Sequence, residues 1–284
     1  QGRDDDRDRR AHVFPAFRGS FPSYMKSGKR GMSMTDTSAR SVIEITGEDR
    51  LHFLQGLVTN DARHLEHGPV YAALLSPQGK FIVDFFLVPQ GETVLLDVAS
   101  SEAEALLKRL TMYKLRSKVT LSLSERTVSR GLGDAPEGAI QDPRTADMGW
   151  RAYDGRPSQE VDWDAIRVAH CVPETGVELT PDTFILEAGF ERLNGVDFKK
   201  GCYVGQEVTA RMKHKTDLRK GLARVTLTGS APVGTEITTA DGKSAGILFT
   251  QSGGHAIAYL RFDRATGPLR AGEAEIFAQA TAKS

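Results

Sequence analysis

One short stretch of the chain concentrates the side chains that could do chemistry. The segment Lys199–Glu207 reads Lys-Lys-Gly-Cys-Tyr-Val-Gly-Gln-Glu, and its Cys202 is one of only two cysteines. The two lysines just upstream would favour a thiolate, which is the reactive form of cysteine. The two glycines could adopt positive φ or admit a close neighbour, and the Gln-Glu pair adds amide and carboxylate groups. These residue types favour a functional loop, with a buried thiol in a glycine-rich turn as the alternative.

The composition excludes several classes of protein. Lys plus Arg number 37 and Asp plus Glu also number 37, so the net charge gives no electrostatic reason to expect nucleic acid as a partner. No apolar run approaches the ~20 residues that would span a membrane. Cys171 and Cys202 form no CxxC pair, which fits a reducing compartment. Two thiols cannot hold a four-thiolate cluster within one chain, so the sequence predicts no stably bound metal.

The hydropathy pattern divides the chain into three parts. Residues 1–38 are rich in Arg, Asp, Gly and Ser without hydrophobic periodicity, which predicts a disordered extension. Its acidic residues argue against a mitochondrial transit peptide. Residues 39–215 alternate strand and helix patterns, and residues 216–284 contain only short strand patterns. The predicted fold class is therefore α+β with a C-terminal antiparallel β-barrel.

Apolar periodicity locates the elements of the α+β region. A capping box at Ser101–Glu104 predicts the start of a helix. Asp162 predicts the cap of another helix that turns Trp163, Ile166 and Ala169 inward. The remaining predicted elements are strands at 42–45, 71–75, 81–88, 94–98 and 120–123, a short helix at 48–55, and a capped turn after Thr59-Asn60-Asp61.

Two carboxylates stand alone inside apolar runs. Asp84 interrupts the strand Phe81–Val88, and Glu187 interrupts Phe184–Phe190. Burying a carboxylate without a hydrogen-bond or ionic partner costs on the order of several kcal/mol. Asp84 must therefore face water from one side of the sheet or accept hydrogen bonds from a partner or ligand.

The last third of the chain carries a cationic segment followed by the barrel pattern. The cations of residues 211–220 form a solvated face or, alternatively, attract a polyglutamate tail or an acidic partner. Asp241-Gly242 between two strand patterns predicts a hairpin. The predicted barrel strands are 223–227, 236–239, 245–249, 256–260 and 275–278.

The segment Lys200–Glu207 resembles the signature of the YgfZ-type folate-binding family, which serves the maintenance of iron–sulfur proteins. That family is related to the aminomethyltransferase (T-protein) of glycine cleavage. The resemblance extends in blocks from about Val42 to about Phe262. The further blocks are Phe53–Asp61, Tyr113 with Arg116, Asp142-Pro143-Arg144, Gly149-Trp150-Arg151 and Leu186-Glu187-Ala188-Gly189.

The resemblance implies a T-protein-like architecture around a central folate cavity. Asp84 and Glu187 would accept hydrogen bonds from the pterin of tetrahydrofolate or a derivative, and Cys202 would be the reactive group. Tyr113 and Arg116 could instead form an ordinary helix end. The implied cofactor-binding residues are Asp84, Glu187, Tyr113, Arg116, Asn60, Lys200, Gly201, Tyr203, Gly205, Gln206 and Glu207.

The implied function is a tetrahydrofolate-binding factor that supports assembly or repair of iron–sulfur clusters in client enzymes. Its partners would be folate and iron–sulfur client or assembly proteins, with no nucleic acid or membrane. A folate-dependent aminomethyltransferase and a non-catalytic adaptor are the alternatives. The expected compartment is the cytoplasm of a bacterium, or the mitochondrial matrix if the protein is eukaryotic.

Overall fold

The computed structural model describes residues 40–214 and 218–278, so the extension predicted over residues 1–38 lies outside the described residues. The helices are α1 (Arg50–Gln55), α2 (Ser100–Lys114), α3 (Trp163–His170) and α4 (Gln206–His214). The first eight strands are β1 (Arg40–Thr46), β2 (Val70–Leu75), β3 (Phe81–Gln90), β4 (Thr93–Ala99), β5 (Thr120–Ser124), β6 (Ser129–Gly131), β7 (Ile140–Gln141) and β8 (Trp150–Ala152). The last six are β9 (Lys220–Thr228), β10 (Glu236–Thr239), β11 (Ser244–Ser252), β12 (His255–Arg261), β13 (Leu269–Ala271) and β14 (Ala274–Ala278).

A five-stranded antiparallel sheet in the order β2-β3-β4-β1-β5 forms the centre of the α+β region. Its two faces are covered by different cores. Side chains alternate along a strand, so Phe85 of β3 packs into one core with α2, whereas Phe86 packs into the other. Burial on both faces explains why β3 is almost continuously apolar. Asp84 lies on the Phe86 face.

Helix α2 covers the first face with Ala103, Leu106 and Leu110. The predicted capping box is wrong, because Ala99 occupies the N-cap position without a side-chain hydrogen bond and Ser101 lies inside the first turn. The helix ends at Lys114, and its C-cap residue Leu115 has a φ of 44° and is 88% exposed. The strand that follows, β5, is the last strand of the sheet in the described part of the chain.

The second face of the sheet is covered by a region whose secondary structure the sequence pattern predicted only in part. Residues 127–152, rich in glycine and proline, contain the small sheet β6-β8-β7, which was not predicted. Helix α3 has Asp162 as its cap, as predicted, but it buries Trp163, Arg167 and Val168. Arg167 faces inward and pairs with Glu178. Ile166 is partly buried against the core as predicted, whereas Ala169 is exposed.

Six strands close the C-terminal barrel in the order β10-β11-β12-β9-β14-β13. The hairpin predicted at Asp241-Gly242 joins β10 to β11, with Gly242 at a φ of 77°. Strand β13 was missed because it is only three residues long. A separate apolar core fills the barrel. The α+β region followed by a barrel agrees with the predicted order of elements.

Candidate functional site

Cys202 lies on an exposed two-residue bridge between two buried side chains. Gly201 and Cys202 are exposed, whereas Lys200 and Tyr203 are only 4% and 8% exposed. The Lys200 Nζ atom lies 4.9 Å from the centre of the Tyr203 ring, a cation–π contact. The thiol is therefore presented to solvent by a loop whose two flanking residues are anchored in the protein.

The segment before this bridge is bound to the turn after α1. Thr59 Oγ1 donates to the Gly195 carbonyl at 2.7 Å, and Asn60 Nδ2 donates to the Asn194 carbonyl at 2.7 Å. The Asp197 amide donates back to the Thr59 carbonyl at 3.1 Å. Asn60, expected to bind a cofactor, thus holds two parts of the chain together.

Lys200 extends the same attachment. Its ammonium donates to the carbonyls of Gln55 and Asn60, each at 2.9 Å, and to that of Val58. Gln55 is the last residue of α1, where helix carbonyls lack intrahelical partners. Val58 and Asn60 lie in the turn that follows. Burial lowers the pKa of Lys200 to about 8. The Lys200 ammonium, which was expected to act on Cys202 or a ligand, thus donates to backbone carbonyls instead.

Gly205 fixes the other end of the loop. It has a φ of 84°, and an added Cβ would lie 2.6 Å from the Ser76 carbonyl oxygen and 3.1 Å from Gly79 Cα. Gly79 in turn has its φ at 73° and packs against Val208. The loop and the β2–β3 turn therefore approach so closely that both positions require glycine. Gly201 shows neither feature, because an added Cβ there would meet nothing within 4 Å.

The end of the signature begins helix α4. Gln206 donates its backbone amide to the Tyr203 carbonyl at 3.2 Å. Glu207 is exposed and pairs with Arg211 at 2.7 Å. In the cationic segment, Lys213 likewise pairs with Glu191, whereas Lys215 lies outside the described residues. These pairs favour the solvated-face interpretation of the segment.

Asp84 is buried, which excludes the water-facing alternative. Its carboxylate accepts a hydrogen bond from the Tyr71 hydroxyl at 2.9 Å and another from the Thr175 hydroxyl. Burial and the Asp84 charge together raise the pKa of Tyr71 well above its usual value. The Tyr71 ring stacks on Phe190 with centroids 5.1 Å apart and lies 5.3 Å from Phe86. Asp84 thus accepts hydrogen bonds from two hydroxyls in a part of the second core that is lined by Tyr71, Phe86 and Phe190.

Glu187 joins the α+β region to the barrel. Its carboxylate accepts from the Tyr259 hydroxyl at 2.6 Å and lies 3.8 Å from Lys220 Nζ. Its backbone carbonyl accepts from the Leu222 amide at 2.7 Å. Burial, followed by the bond to Glu187, raises the pKa of Tyr259. The structure therefore gives Glu187 three partners on the barrel strands.

The structure does not bring Tyr113 and Arg116 together with Asp84. Tyr113 packs against the core on the α2 face of the sheet, opposite the face of Asp84. Arg116 is exposed and borders an open cleft of about 710 Å³ with Asp49, Leu115 and Ser117. This placement matches the ordinary helix end that was the alternative for both residues.

A buried ionic cluster beside Asp84 was not predicted as a site. Asp97 accepts from Arg40 Nε at 2.6 Å, from an Arg151 Nη at 2.9 Å and from the Tyr153 hydroxyl at 3.0 Å. Burial alone would raise the pKa of Asp97, but the charges of Arg40 and Arg151 outweigh it and lower that pKa. Asp97 lies in an apolar run, as Asp84 does, and that signal could have identified it.

Arg151 connects this cluster to Asp142. Arg151 Nε lies 3.2 Å from the Asp142 carboxylate, which also accepts from Arg144 Nη2 at 2.8 Å. Burial opposes ionisation of Asp142, yet the two guanidinium groups lower its pKa to about 2. Arg151 and Arg144 also lie 3.8 and 4.8 Å from the centre of the Phe86 ring. The family blocks that contain these residues thus form a connected cation–carboxylate network.

One group of metal-type ligands occurs among the described residues. Single ligand atoms of Asp61, His64 and Asp197 lie within 4.8 Å of one another. Arg63 binds both carboxylate oxygens of Asp61 and thereby lowers its pKa. Because a guanidinium already neutralises Asp61, we assign no metal to this group.

The two cysteines are expected to differ in reactivity. Cys171 follows α3 in a left-handed conformation with a φ of 50°, and burial raises its pKa to about 11. At pH 8 about one Cys171 in a thousand would then be a thiolate, the form that alkylates. Timed iodoacetamide labelling with peptide mapping should show Cys202 reacting at least about tenfold faster. Earlier labelling of Cys171 would contradict the assignment of Cys202 as the accessible thiol.

Comparison with known proteins defines the class of fold first. Aminomethyltransferase T of the Bartonella henselae glycine cleavage system superposes with a TM-score of 0.69 at 14% identity, covering 87% of this chain and 85% of that one. Residues 219–282 match the family described as CAF17, C-terminal beta-barrel domain. The predicted T-protein-like fold is therefore confirmed.

Curated relatives then define the family. The iron–sulfur cluster assembly factor IBA57, mitochondrial, is 33% identical in Mus musculus and 32% in Homo sapiens; each alignment covers 81% of this chain and 78% of the relative. The Phaeosphaeria nodorum homologue is 34% identical, and the chain spans 53% of its length. The chain belongs to the IBA57 family. The YgfZ-type resemblance identified a bacterial branch, whereas these relatives are mitochondrial proteins.

Proposed function

We propose that this protein is an iron–sulfur cluster assembly factor that works in mitochondria and uses Cys202 as its cluster-facing group. The names of the relatives support the process and the compartment, in place of the bacterial cytoplasm that was expected first. The observation that carries the proposal is the exposure of Cys202 between the buried side chains of Lys200 and Tyr203.

The chemistry follows from the number of available thiols. The chain has two cysteines, and burial keeps Cys171 protonated. A cluster is commonly held by four thiolates, so Cys202 would supply one ligand and a partner protein the others. When Cys202 binds iron it gives up its proton to solvent, because the ligand is the thiolate. The protein would therefore act on a cluster in a complex with an assembly protein or a client enzyme.

Deletion and complementation test this proposal. Cells that lack the gene should lose activity of iron–sulfur enzymes and keep that of a haem or flavin enzyme in the same compartment. A plasmid copy should restore the lost activities. Normal iron–sulfur enzyme activities in the deletion strain would overturn the proposal.

We also propose that a reduced folate binds beside Asp84. A pterin presents N–H donors and a flat ring, and Asp84 supplies a buried acceptor next to Tyr71, Phe86 and Phe190. A carboxylate has about four acceptor positions, so Asp84 can accept from a ligand beside its present donors. Glu187 fits less well, because its partners already link it to the barrel.

The Asp84→Asn variant should bind tetrahydrofolate at least about tenfold more weakly than the wild type. The reason is the loss of a charged acceptor from a buried hydrogen bond, worth about 1.5–3 kcal/mol. Calorimetric titration measures the affinities, and Asp154→Asn, at an exposed carboxylate, is the matched control. Equal binding by the Asp84 variant, or no binding by the wild type, would remove folate from the proposed function.

A further inference from the structure

The exposed bridge Gly201-Cys202 is flanked by two buried residues, Lys200 and Tyr203, which also contact each other. Lys200 enters from one side and reaches three backbone carbonyls after α1. Tyr203 enters from the other side and packs into the core of the second sheet face. The path of the two residues between them is thus fixed at both ends, and only Gly201 adds backbone freedom.

We propose that Lys200 and Tyr203 are a positioning pair that holds the Cys202 thiol outward in the orientation needed by an incoming cluster or partner. The inference rests on the proposed function, because it assigns these two residues a role in the work of Cys202. A preorganised ligand avoids the cost of ordering a side chain on binding. Neither residue needs to touch the cluster.

This role accounts for features that ligand binding does not. An ammonium surrounded by carbonyls of its own chain has used its three donors. Thr59 and Asn60 attach the segment just before Lys200 to the same turn, so the anchor is itself held in place. On the other side, Gly205 and Gly79 bring the loop against the β2–β3 turn. All of these contacts converge on the ends of the bridge.

Variants of the full chain test the pair. Lys200→Met removes the ammonium, Lys200→Arg keeps a cationic donor, and Tyr203→Leu removes the ring. Lys108→Met, at an exposed lysine of α2, is the matched control. The readouts are hydrogen exchange of residues 55–60 and 196–206, the melting temperature, and iron–sulfur enzyme activity in cells that carry only the variant.

Lys200→Met should lower exchange protection of both segments at least tenfold and iron–sulfur enzyme activity at least tenfold. Lys200→Arg should recover part of each, and Lys108→Met should match the wild type. The Lys200→Met/Tyr203→Leu double variant should be no worse than the more severe single variant, because both act on one bridge.

Full enzyme activity with Lys200→Met, in cells where Cys202→Ser is inactive, would overturn the positioning role while leaving the proposed function intact. Full activity with Cys202→Ser would instead remove the proposed function. If Lys200→Met fails to fold, Tyr203→Leu and Lys200→Arg decide. If hydrogen-exchange protection of the loop and enzyme activity were both unchanged in Tyr203→Leu and in Lys200→Arg, the positioning role of Lys200 and Tyr203 would also be overturned.

Discussion

Replacing Cys202 with serine is expected to abolish support of iron–sulfur enzymes while leaving the protein folded. Serine keeps the size of the side chain but does not ionise in the physiological range, so no thiolate can bind iron. Cys202 is exposed on its bridge, and the change should alter the free energy of unfolding by less than about 1 kcal/mol. Enzyme assays in cells that carry only the variant, with immunoblots of its level, measure the effect.

Cys171→Ser is the internal control for this experiment. It removes the other cysteine, whose position at the end of α3 is partly buried. Iron–sulfur enzyme activity should persist in that variant. Retained activity in Cys202→Ser would show that the thiol is dispensable. A collapsed melting transition in Cys202→Ser would instead make the residue part of the fold.

The Asp97→Asn variant should lose about 3–5 kcal/mol of unfolding free energy, because it leaves the buried Arg151 and the partly buried Arg40 without the carboxylate that they share. Asn keeps the size and part of the hydrogen bonding, so the loss reports the charge. Denaturant unfolding at neutral pH measures it. The buried network extends through Arg151 to Asp142, so the variant should also loosen the β6-β8-β7 sheet.

Glu275→Gln provides the comparison with a surface ion pair. Its partner Arg270 is 65% exposed and Glu275 is 51% exposed, so the loss should stay below about 1 kcal/mol. An equal loss in the two variants would mean that the buried cluster contributes no more than a solvent-exposed pair.

The sequence predicted the elements that depend on local pattern. The sheet strands, α2, α3 and the Asp241-Gly242 hairpin were recognised because apolar periodicity and turn residues are local signals. The capping box failed because α2 begins two residues earlier, with Ala99 in place of Ser101 as the N-cap, which puts Ser101 inside the first turn. Strands β6, β7 and β8 are two or three residues long, which is too short for a periodic signal.

The candidate site was predicted in part. The signature identified Cys202 and its glycines, because those residue types are unusual together. The partners of Lys200, Asp84 and Glu187 are separated from them by many positions, and no local pattern shows them. Tyr113 and Asp84 lie on opposite faces of the sheet, because α2 covers the face that Asp84 does not occupy. That choice is a property of the tertiary structure.

The two β-structures end in different ways, and the difference bears on how the protein behaves in concentrated solution. The barrel closes on itself, whereas the five-stranded sheet has two edge strands among the described residues, β5 and the fully buried β2. Strand β5 contains neither charge nor proline and leaves Leu123 47% exposed. Natural proteins protect sheet edges with lysine, proline or bulges, because an uncovered edge is a template for strands of other molecules. No strand among residues 40–214 and 218–278 pairs with the outer edge of β5. Within that part of the chain, residues 120–124 are therefore where intermolecular strand pairing, and hence aggregation during purification or refolding, is expected to begin.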